Sequence, residues 1–293
     1  MKPIITSTEL LLIFNQENLV ILDARTGKDA RKNYLEDHIK SARFIDLDKN
    51  LAEIGENAAF GGRHPLPQIS KFAETLQNLG ITEDSHIIVY DLANGGNAAA
   101  RCWWMLRAFG LEKVQVLSGG FQSAVKSGIS TNSGEEIFGK TSFILRENWS
   151  LPTSTLEDVE KEIVENSATV IDVRDAYRYR GESEPIDLVA GHIPGAINIP
   201  FSENLDGNGE FLSPEILKEK YQDLLAEKPE KLIIHCGSGV TACHTILALD
   251  YAGFVTLSTD RKSADEVLEV PNLFVGSWSE WSRREGKEIA REV

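Results

Sequence analysis

A short apolar segment of the sequence ends in a cysteine, and a glycine-rich loop follows at once. Residues 232–235 precede Cys236, and residues 237–241 include two glycines. An apolar run at 246–249 then predicts a helix. A strand, a glycine-rich loop and a helix in this order place backbone N–H groups around an anion. We therefore predict that the loop stabilises Cys236 as a thiolate, the nucleophilic form of cysteine.

A cysteine at the end of a strand can also be unreactive. A buried, inert thiol is the usual role of an isolated cysteine in a protein interior. The glycine-rich loop favours the nucleophile for Cys236. Cys102 and Cys243 lie in apolar stretches with helical character, and we predict that both pack in the core.

The composition limits the classes of function. The chain has 293 residues, 42% of them hydrophobic, which is enough for one large or two medium domains. Its formal net charge is −15. A nucleic-acid partner is therefore not expected, because contacts to phosphate need clustered lysines and arginines. An anionic substrate would need a specific basic residue in its site.

Cysteine usage and hydropathy indicate a compartment. Three cysteines without a Cys-x-x-Cys pair argue against a disulfide framework and against a zinc site. The N-terminal residues lack the apolar segment of a signal peptide. No apolar run approaches the roughly 18 residues of a membrane span. We expect a reduced, cytoplasmic protein that has no membrane segment.

Local patterns predict the elements that would hold the cysteine loop. Serine and threonine residues at 6–8 and 153–155 predict helix N-termini. Apolar stretches at 69–79 and 98–109, each followed by a glycine, predict two helices. Buried strands are predicted at 19–23, 86–91, 114–117, 169–172 and 232–236.

The order of these elements recurs along the chain. Asp23 and Asp172 each end an apolar strand, and a His-Ile pair follows in both halves. Later in each half, Asp91 and Cys236 end corresponding strands at similar spacings. A repeat of this length indicates a duplicated domain. Asp91 therefore occupies the position of the nucleophile in a half that has none.

Each half alternates strands with helices, which predicts an α/β fold. We expect tandem domains, each a parallel sheet with helices on both faces. The boundaries are predicted as an inactive domain at 1–130, a linker at 131–152 and a catalytic domain at 153–293. Ligands of such sheets bind at the carboxyl ends of the strands, where Cys236 would lie. Residues 258–271 have no counterpart in the first half and predict a surface insertion with a short helix at 264–268.

The pattern resembles the two-domain rhodanese family of sulfurtransferases and, within it, the 3-mercaptopyruvate sulfurtransferases. The resemblance covers nearly the whole chain, and its most specific part is the loop at 236–242. Supporting motifs lie at 103–107, 178–181 with 184–185, 191–196 and 276–281. In this family the first domain has lost its cysteine, which agrees with Asp91.

The resemblance implies sulfur transfer in two steps. The Cys236 thiolate takes the sulfur of 3-mercaptopyruvate and releases pyruvate. A Cys236 persulfide then passes its outer sulfur to cyanide, a small thiol or thioredoxin. Such an enzyme uses a small-molecule donor and acceptor and needs no metal or organic cofactor.

The resemblance also implies a binding site for the donor. The loop residues expected to contact the substrate are Gly237, Gly239, Val240 and Thr241. Arg178 matches the family arginine that binds the donor carboxylate, a role that suits the guanidinium fork, although it could also be an ordinary surface arginine. Many relatives have a second arginine where this chain has Ile186. Either Arg180 replaces it or binding rests on Arg178 alone.

A proton relay is the last implied feature. Ser238, His64 and Asp48 match a family relay that helps to protonate the departing enolate. Both His64 and Asp48 come from the first half of the chain. As alternatives, His64 could only form a hydrogen bond to the loop, and Ser238 could only cap it.

Three other functions compete with this interpretation. A phosphatase loop of the same fold has an arginine six positions after the cysteine, but this chain has Ala242 there. A thiosulfate sulfurtransferase is opposed by the uncharged Gly237 and Ser238, because its loop carries basic residues. A non-catalytic protein, either a binding module or a sulfur carrier that only relays persulfide to a partner, is opposed by the complete donor site that the resemblance implies.

Overall fold

The computed structural model describes residues 1–92, 95–96, 98–143, 146–226, 231–257 and 268–292. The chain forms two compact units. The first consists of Met1–Glu53, Pro67–Ser150 and Asp206–Phe211, and the second of Ile54–Leu66, Leu151–Leu205 and Leu212–Val293. The segment Ile54–Leu66 thus comes from the first half of the sequence but packs in the second unit.

The first unit is built on a five-stranded parallel sheet. Its strands and those of a small hairpin are β1 (Ile4–Ile5), β2 (Leu19–Asp23), β3 (His38–Ile39), β4 (Ala42–Phe44), β5 (His86–Tyr90), β6 (Val114–Leu117) and β7 (Thr131–Asn132). The order in the sheet is β1-β6-β5-β2-β4, and β3 pairs with β7 in antiparallel fashion. Every residue of β5 is buried. Successive side chains of a strand point to opposite faces, so both faces of the sheet are covered.

Helices of the first unit flank this sheet. They are α1 (Ser7–Ile13), α2 (Ala30–Glu36), α3 (Leu47–Asn50), α4 (Ile69–Asn78), α5 (Ala98–Phe109) and α6 (Gly120–Lys126). The predicted N-terminus at residues 6–8 is confirmed, because the side chain of Thr6 accepts a hydrogen bond from the backbone N–H of Glu9 and Glu9 caps Thr6 in return. The prediction for 98–109 is confirmed over its full length.

The second unit repeats this architecture. Its strands are β8 (Thr153–Ser154), β9 (Thr169–Asp172), β10 (Ile197–Asn198), β11 (Leu232–His235) and β12 (Asn272–Phe274). They form a parallel sheet in the order β10-β9-β11-β12-β8. Taken in chain order, this is the strand order of the first unit. The predicted duplication and the predicted α/β fold are therefore confirmed.

The helices of the second unit follow the same plan. They are α7 (Leu156–Glu165), α8 (Ala176–Arg180), α9 (Pro214–Ala226), α10 (Ala242–Tyr251) and α11 (Ser277–Trp281), with a 3-10 helix at Phe201–Asn204. The predicted cap before α7 is confirmed, since Thr155 and Asp158 cap each other. An apolar core that includes Ile233, Phe274 and Trp278 lies between the sheet and its helices.

Matching ion pairs show the repeat at the level of side chains. Nε of Arg25 donates to Asp23 at 2.9 Å in the first unit, and Nε of Arg174 donates to Asp172 at 3.0 Å in the second. Each arginine also donates to the carbonyl of the residue that precedes the repeated His-Ile pair, Asp37 or Gly191. Because all four charged groups are buried, each carboxylate is stabilised only through its arginine and nearby donors.

The insertion predicted at 258–271 lies mostly outside the described residues, which resume at Leu268. The predicted helix at 264–268 therefore also lies outside them except for Leu268, which is not helical and donates its backbone N–H to the carbonyl of Phe254 at 2.9 Å. Among the described residues, no helix is both long enough and apolar enough to cross a membrane.

Candidate active site

Cys236 lies directly after β11, at the carboxyl end of a central strand of the second sheet. The residue is 3% exposed. Its backbone N–H donates to Oγ of Ser277 at 3.2 Å, and its carbonyl accepts from the N–H of Trp278 at 3.0 Å. The start of α11 thus fixes the backbone of the cysteine. A rigid loop can hold a nucleophile in one orientation.

The loop after the cysteine leads into α10. The predicted helix is confirmed and spans Ala242–Tyr251, with Thr241 as N-cap. Its first turn contains Cys243, which the sequence also placed in a helix, and two polar residues, His244 and Thr245, which are fully buried. Val240 is also buried, and its carbonyl accepts from the N–H of Cys243 at 3.2 Å.

Glycine is present at positions 237 and 239 of the loop for different structural reasons. Gly239 has a φ of +72°, and a Cβ atom there would lie 2.5 Å from the carbonyl oxygen of Val275. Only glycine fits that position. A Cβ atom on Gly237 would lie 3.0 Å from Nη2 of Arg63 and 3.5 Å from Nη2 of Arg178. The missing side chain of Gly237 thus brings the loop close to two guanidinium groups.

Two members of the predicted relay are in contact. Nδ1 of His64 lies 2.8 Å from Oγ of Ser238, a distance at which a hydrogen bond forms. Both residues belong to the second unit, because His64 is part of the segment Ile54–Leu66. Ser238 is buried. The serine follows the nucleophile by two residues, so the pair can move a proton close to Cys236.

Asp48, the third predicted member of the relay, lies in α3 of the first unit. Its backbone N–H donates to Oδ1 of Asp46 at 2.9 Å. The residue lines a surface cavity of about 390 Å³ together with Arg25 and Lys49. Its part in the relay stays a prediction.

Arg178 is not an ordinary surface arginine. Its side chain is only 8% exposed, and its Nε donates to both carboxylate oxygens of Glu184 at 3.0 Å. Burial lowers the pKa of Arg178, but the hydrogen bonds and charge of Glu184, with smaller effects of Asp187 and Cys236, raise it above its ordinary value. The guanidinium is therefore a permanent cation in a mostly buried site.

Sequence reasoning missed Asp187. The side chain of this aspartate is fully buried and accepts hydrogen bonds from three arginines. Nε of Arg63 donates to Oδ1 at 3.1 Å, Nη1 of Arg283 donates to Oδ1 at 2.9 Å, and Nη2 of Arg178 donates to Oδ2 at 3.4 Å. The arginines come from three distant segments of the chain. No local spacing could have revealed this cluster.

Arg180, which one of the two alternatives made the replacement for the second arginine, does not join this buried cluster. Its side chain is 41% exposed and pairs with Glu182 at 2.6 Å. Ile186, where relatives have the second arginine, is 55% exposed. The alternative in which Arg180 replaces the missing arginine therefore has no support from the positions of these side chains.

The other two cysteines pack in the core as predicted. Cys102 in α5 and Cys243 in α10 are fully buried, and all three cysteines are free thiols. Burial raises the pKa of Cys102 far above its ordinary value, which keeps the thiol protonated and unreactive. Sγ of Cys243 donates to the carbonyl of Gly239 at 3.5 Å, so this residue supports the loop.

Comparison with known proteins agrees with the fold. The family model for the rhodanese-like domain matches residues 6–127 and, a second time, residues 155–283. The chain belongs to the rhodanese family. The resemblance predicted from the motifs is thereby confirmed, and so is the presence of two rhodanese domains.

Relatives with assigned activities are sulfurtransferases. The probable 3-mercaptopyruvate sulfurtransferase of Pseudomonas aeruginosa is 35% identical over 284 residues, which cover 95% of this chain and 94% of that protein. The thiosulfate sulfurtransferase of Rattus norvegicus is 34% identical over 261 residues, which cover 88% and 81% of the two chains. The predicted enzyme class, a sulfurtransferase of the rhodanese family, is confirmed.

A solved structure supports the same assignment. The crystal structure of SseA from Escherichia coli, described as a 3-mercaptopyruvate sulfotransferase with the rhodanese fold, matches with a TM-score of 0.77 at 29% identity. The match covers 96% of this chain and 100% of that chain. The two-unit architecture of this chain is therefore found over the full length of a family member.

Proposed function

We propose that this rhodanese-family protein is a 3-mercaptopyruvate sulfurtransferase. It moves sulfane sulfur through a persulfide of Cys236 to a thiophilic acceptor such as cyanide, a small thiol or thioredoxin, and it releases pyruvate. The observation that carries the proposal is the position of Cys236, which ends a central strand and begins a loop whose own side chains are uncharged, with Arg178 buried alongside.

The first step forms one bond and breaks another. The thiolate of Cys236 attacks the donor sulfur, an S–S bond forms, and the bond between that sulfur and the donor carbon breaks. The electron pair of the broken bond stays on the departing carbon as the enolate of pyruvate. A proton then converts the enolate to pyruvate. No net oxidant is needed, because sulfur moves as a neutral atom.

Ser238 and His64 supply the proton for the departing enolate. Their hydrogen bond of 2.8 Å lets the histidine replace the proton that the serine hydroxyl gives up. Asp48 is assigned the third position of this relay on the strength of the family match. Gly237, Gly239, Val240 and Thr241 form the loop that receives the outer sulfur.

Arg178 binds the carboxylate of the donor. Its Nε and Nη2 both contact the carboxylate of Glu184. Nη2 also lies 3.5 Å from where a Cβ atom would stand if Gly237 had one. A cation there attracts a donor carboxylate while leaving the sulfur free to meet Cys236. In the second step the acceptor attacks the outer sulfur of the persulfide, and the thiolate of Cys236 leaves.

We assign different roles to the two rhodanese domains. Along the sequence we assign the catalytic domain to 153–293, the inactive domain to 1–130 and a linker to 131–152, while the segment Ile54–Leu66 of the first half packs in the second unit. Asp91 in the inactive domain stands where the nucleophile would be, and its carboxylate accepts from the N–H groups of Gly95 and Ala99 at 2.9 and 3.0 Å. A carboxylate thus takes the anion position of that loop.

We assign the enzyme to a reducing compartment, the cytoplasm, because all three of its cysteines are free thiols and the reaction needs one of them. Reduced thioredoxin is then a suitable physiological acceptor. The assignment predicts steady pyruvate release when reduced thioredoxin replaces cyanide. Turnover with cyanide but not with thioredoxin would leave a small thiol as the acceptor.

Thiosulfate is the second candidate donor, and one contact favours it. Although the loop itself is uncharged, Arg63 and Arg178 both lie near Gly237, together with the carboxylate of Asp187, so the site contains cations that the loop sequence does not indicate. The deciding measurement is the ratio of rates with 3-mercaptopyruvate and thiosulfate, with cyanide as acceptor, for the parent and for Cys236→Ser. A higher rate with 3-mercaptopyruvate in the parent, together with loss of turnover in Cys236→Ser, supports the proposal.

Two results would contradict it. A preference for thiosulfate would make the protein a thiosulfate sulfurtransferase. The absence of turnover with either donor in folded protein would indicate a persulfide carrier. The Cys102→Ala variant is the matched control. Its thiol lies in the first unit, so removing it should leave the rates with both donors unchanged.

A further inference from the structure

Two guanidinium groups lie against the residue that follows the nucleophile. A Cβ atom built on Gly237 would lie 3.0 Å from Nη2 of Arg63 and 3.5 Å from Nη2 of Arg178. Asp187 connects them, since its Oδ1 accepts from Arg63 at 3.1 Å and its Oδ2 from Arg178 at 3.4 Å. Two cations from separate segments are thus held at one place, beside the position where a donor must bind.

The charges of this group do not cancel. Asp187 accepts from Arg63, Arg178 and Arg283, and Glu184 accepts from Arg178. Glu184 also accepts from Arg174, whose other carboxylate partner is Asp172, so four arginines meet three carboxylates. The linked side chains keep one excess positive charge, and a partly buried site with an excess of arginines favours an anionic ligand. A donor with a single carboxylate meets this requirement.

Arg63 can reach such a ligand. Its side chain is 27% exposed, whereas the carboxylate of Asp187 is fully buried. Within the described part of the chain, the side-chain hydrogen bonds of Arg63 go to Asp187 through Nε and Nη2. A guanidinium has five N–H donors, so its Nη1 edge can still donate to a carboxylate.

The backbone around Arg63 is also anchored to the active-site loop. Its N–H donates to Oγ of Ser279 at 3.0 Å, and the N–H of Ser279 donates to the carbonyl of Gly237 at 2.8 Å. The next residue, His64, contacts Ser238. One short segment therefore carries both a cation beside Gly237 and the histidine of the proton relay.

We propose that Arg63 is the second guanidinium that binds the carboxylate of the sulfur donor, opposite Arg178, and that Asp187 is a positioning residue that sets the distance between them. The inference rests on the proposed function for the identity of the donor as a 2-keto acid. It explains how the chain binds such a donor with Ile186 in place of a second arginine.

The test compares Arg63→Gln with Arg180→Gln in the full-length protein. Arg180 is the matched control, because it also pairs with a glutamate of the second unit but lies at the surface. With 3-mercaptopyruvate and cyanide as substrates, kcat/KM for the donor should fall about 10- to 100-fold in Arg63→Gln, the loss of one charge-assisted hydrogen-bond pair. It should stay near the parent value in Arg180→Gln.

A ping-pong mechanism separates donor binding from general damage. The value of kcat/KM for the donor reports the first half-reaction, and that for cyanide reports the second, which starts from the persulfide without a donor carboxylate. Arg63→Gln should therefore lower the donor constant and leave the cyanide constant near that of the parent. An equal loss in both constants would overturn the inference and leave the proposed function intact.

Arg283→Gln distinguishes binding from simple neutralisation of Asp187. Arg283 donates to the same Oδ1 as Arg63, at 2.9 Å, but its Nη1 also donates to the carbonyl of Ser279. If Arg63 served only to neutralise Asp187, the two variants would lose the same donor affinity, and the inference would fail. A larger loss in Arg63→Gln supports it.

Three further outcomes are decisive. If Arg63→Gln does not fold, Arg63→Lys is compared with Arg180→Lys. Equal values of kcat/KM for the donor in these two variants overturn the inference. A lower value in Arg63→Lys supports it. If the parent protein does not turn over 3-mercaptopyruvate at all, the proposed function is overturned and this inference with it. If the parent turns over 3-mercaptopyruvate and Arg63→Gln has the same kcat/KM for the donor, the inference is overturned while the proposed function stands.

Discussion

Nδ1 of His64 lies 2.8 Å from Oγ of Ser238, although the two residues are 174 positions apart in the sequence. The contact forms inside the second unit because the segment Ile54–Leu66 packs there. Of the three residues predicted for the proton relay, these two are therefore directly coupled. Their coupling makes a specific prediction about the departing group of the donor.

We expect Ser238→Ala and His64→Gln each to lower kcat with 3-mercaptopyruvate by about 10²-fold or more, the usual contribution of a positioned general acid. With thiosulfate the loss should be smaller, because departing sulfite needs no proton on carbon. If the two residues act as a unit, the double variant falls no further than either single variant. Equal losses with both donors would contradict the relay.

The conformation of Gly239 predicts a large cost for a side chain in the loop. In Gly239→Ala the new Cβ would lie 2.5 Å from the carbonyl oxygen of Val275, at a φ of +72°. The matched control is Gly253→Ala, which has a φ of +81° and no atom within 4 Å of the new Cβ. The control should lose about 1–2 kcal/mol of unfolding free energy from strain alone.

Gly239→Ala should lose more than this control, and it should also form less persulfide, since the loop must shift. Urea unfolding gives the stability of both variants, and the mass of the protein after incubation with 3-mercaptopyruvate gives the fraction that carries an added sulfur. Equal stability and equal persulfide formation in the two variants would show that the loop tolerates a side chain at this position.

Asp187 should contribute to stability as well as to the site. Asp187→Asn keeps the shape of the side chain but removes the charge that three arginines share. We expect a loss of about 2–4 kcal/mol in unfolding free energy, less than for a fully buried pair because Arg63 and Arg283 partly reach solvent. Glu182→Gln, which removes the exposed partner of Arg180, should have little effect under the same urea titration.

His235 predicts how stability depends on pH. Burial lowers the pKa of His235 below its ordinary value of 6.5, although the charge of Asp172 acts in the opposite direction. The unfolded chain therefore takes up a proton at a higher pH than the folded protein. Stability from this group is present above about pH 6.5 and is lost as the pH falls towards the folded pKa.

The His235→Gln variant tests this dependence. It should be less stable than the parent at neutral pH because it loses core packing, but its stability should fall less between about pH 7 and pH 5, since one proton-uptake site is gone. Urea midpoints at the two pH values measure the difference. The same loss on acidification in parent and variant would show that His235 does not contribute.

Much of the fold follows from local patterns. The capping residues Thr6 and Thr155, the apolar run that forms β11 and the carboxylates Asp23 and Asp172 at strand ends are all visible in short stretches of sequence. Because these signals act within a few residues, they predict elements and their repetition without any knowledge of packing. The cysteine loop belongs to this class.

Several features of the candidate site were decided only by tertiary structure. Asp187 collects Arg63, Arg178 and Arg283 from three separate segments, and Arg180, two residues after Arg178, points to the surface instead. Burial of a carboxylate requires cations, but nothing in the local sequence states which arginines can reach it.

The sequence alone determined that this chain is a duplicated α/β protein of the rhodanese family and predicted a nucleophile at Cys236, because periodicity, caps and loop motifs are local. Only the packing of the segment Ile54–Leu66 into the second unit decided that Arg63 and His64 lie at the loop that follows Cys236. The physical reason is that electrostatic pairing and proton transfer depend on distances across the fold, and these are set by how distant segments pack.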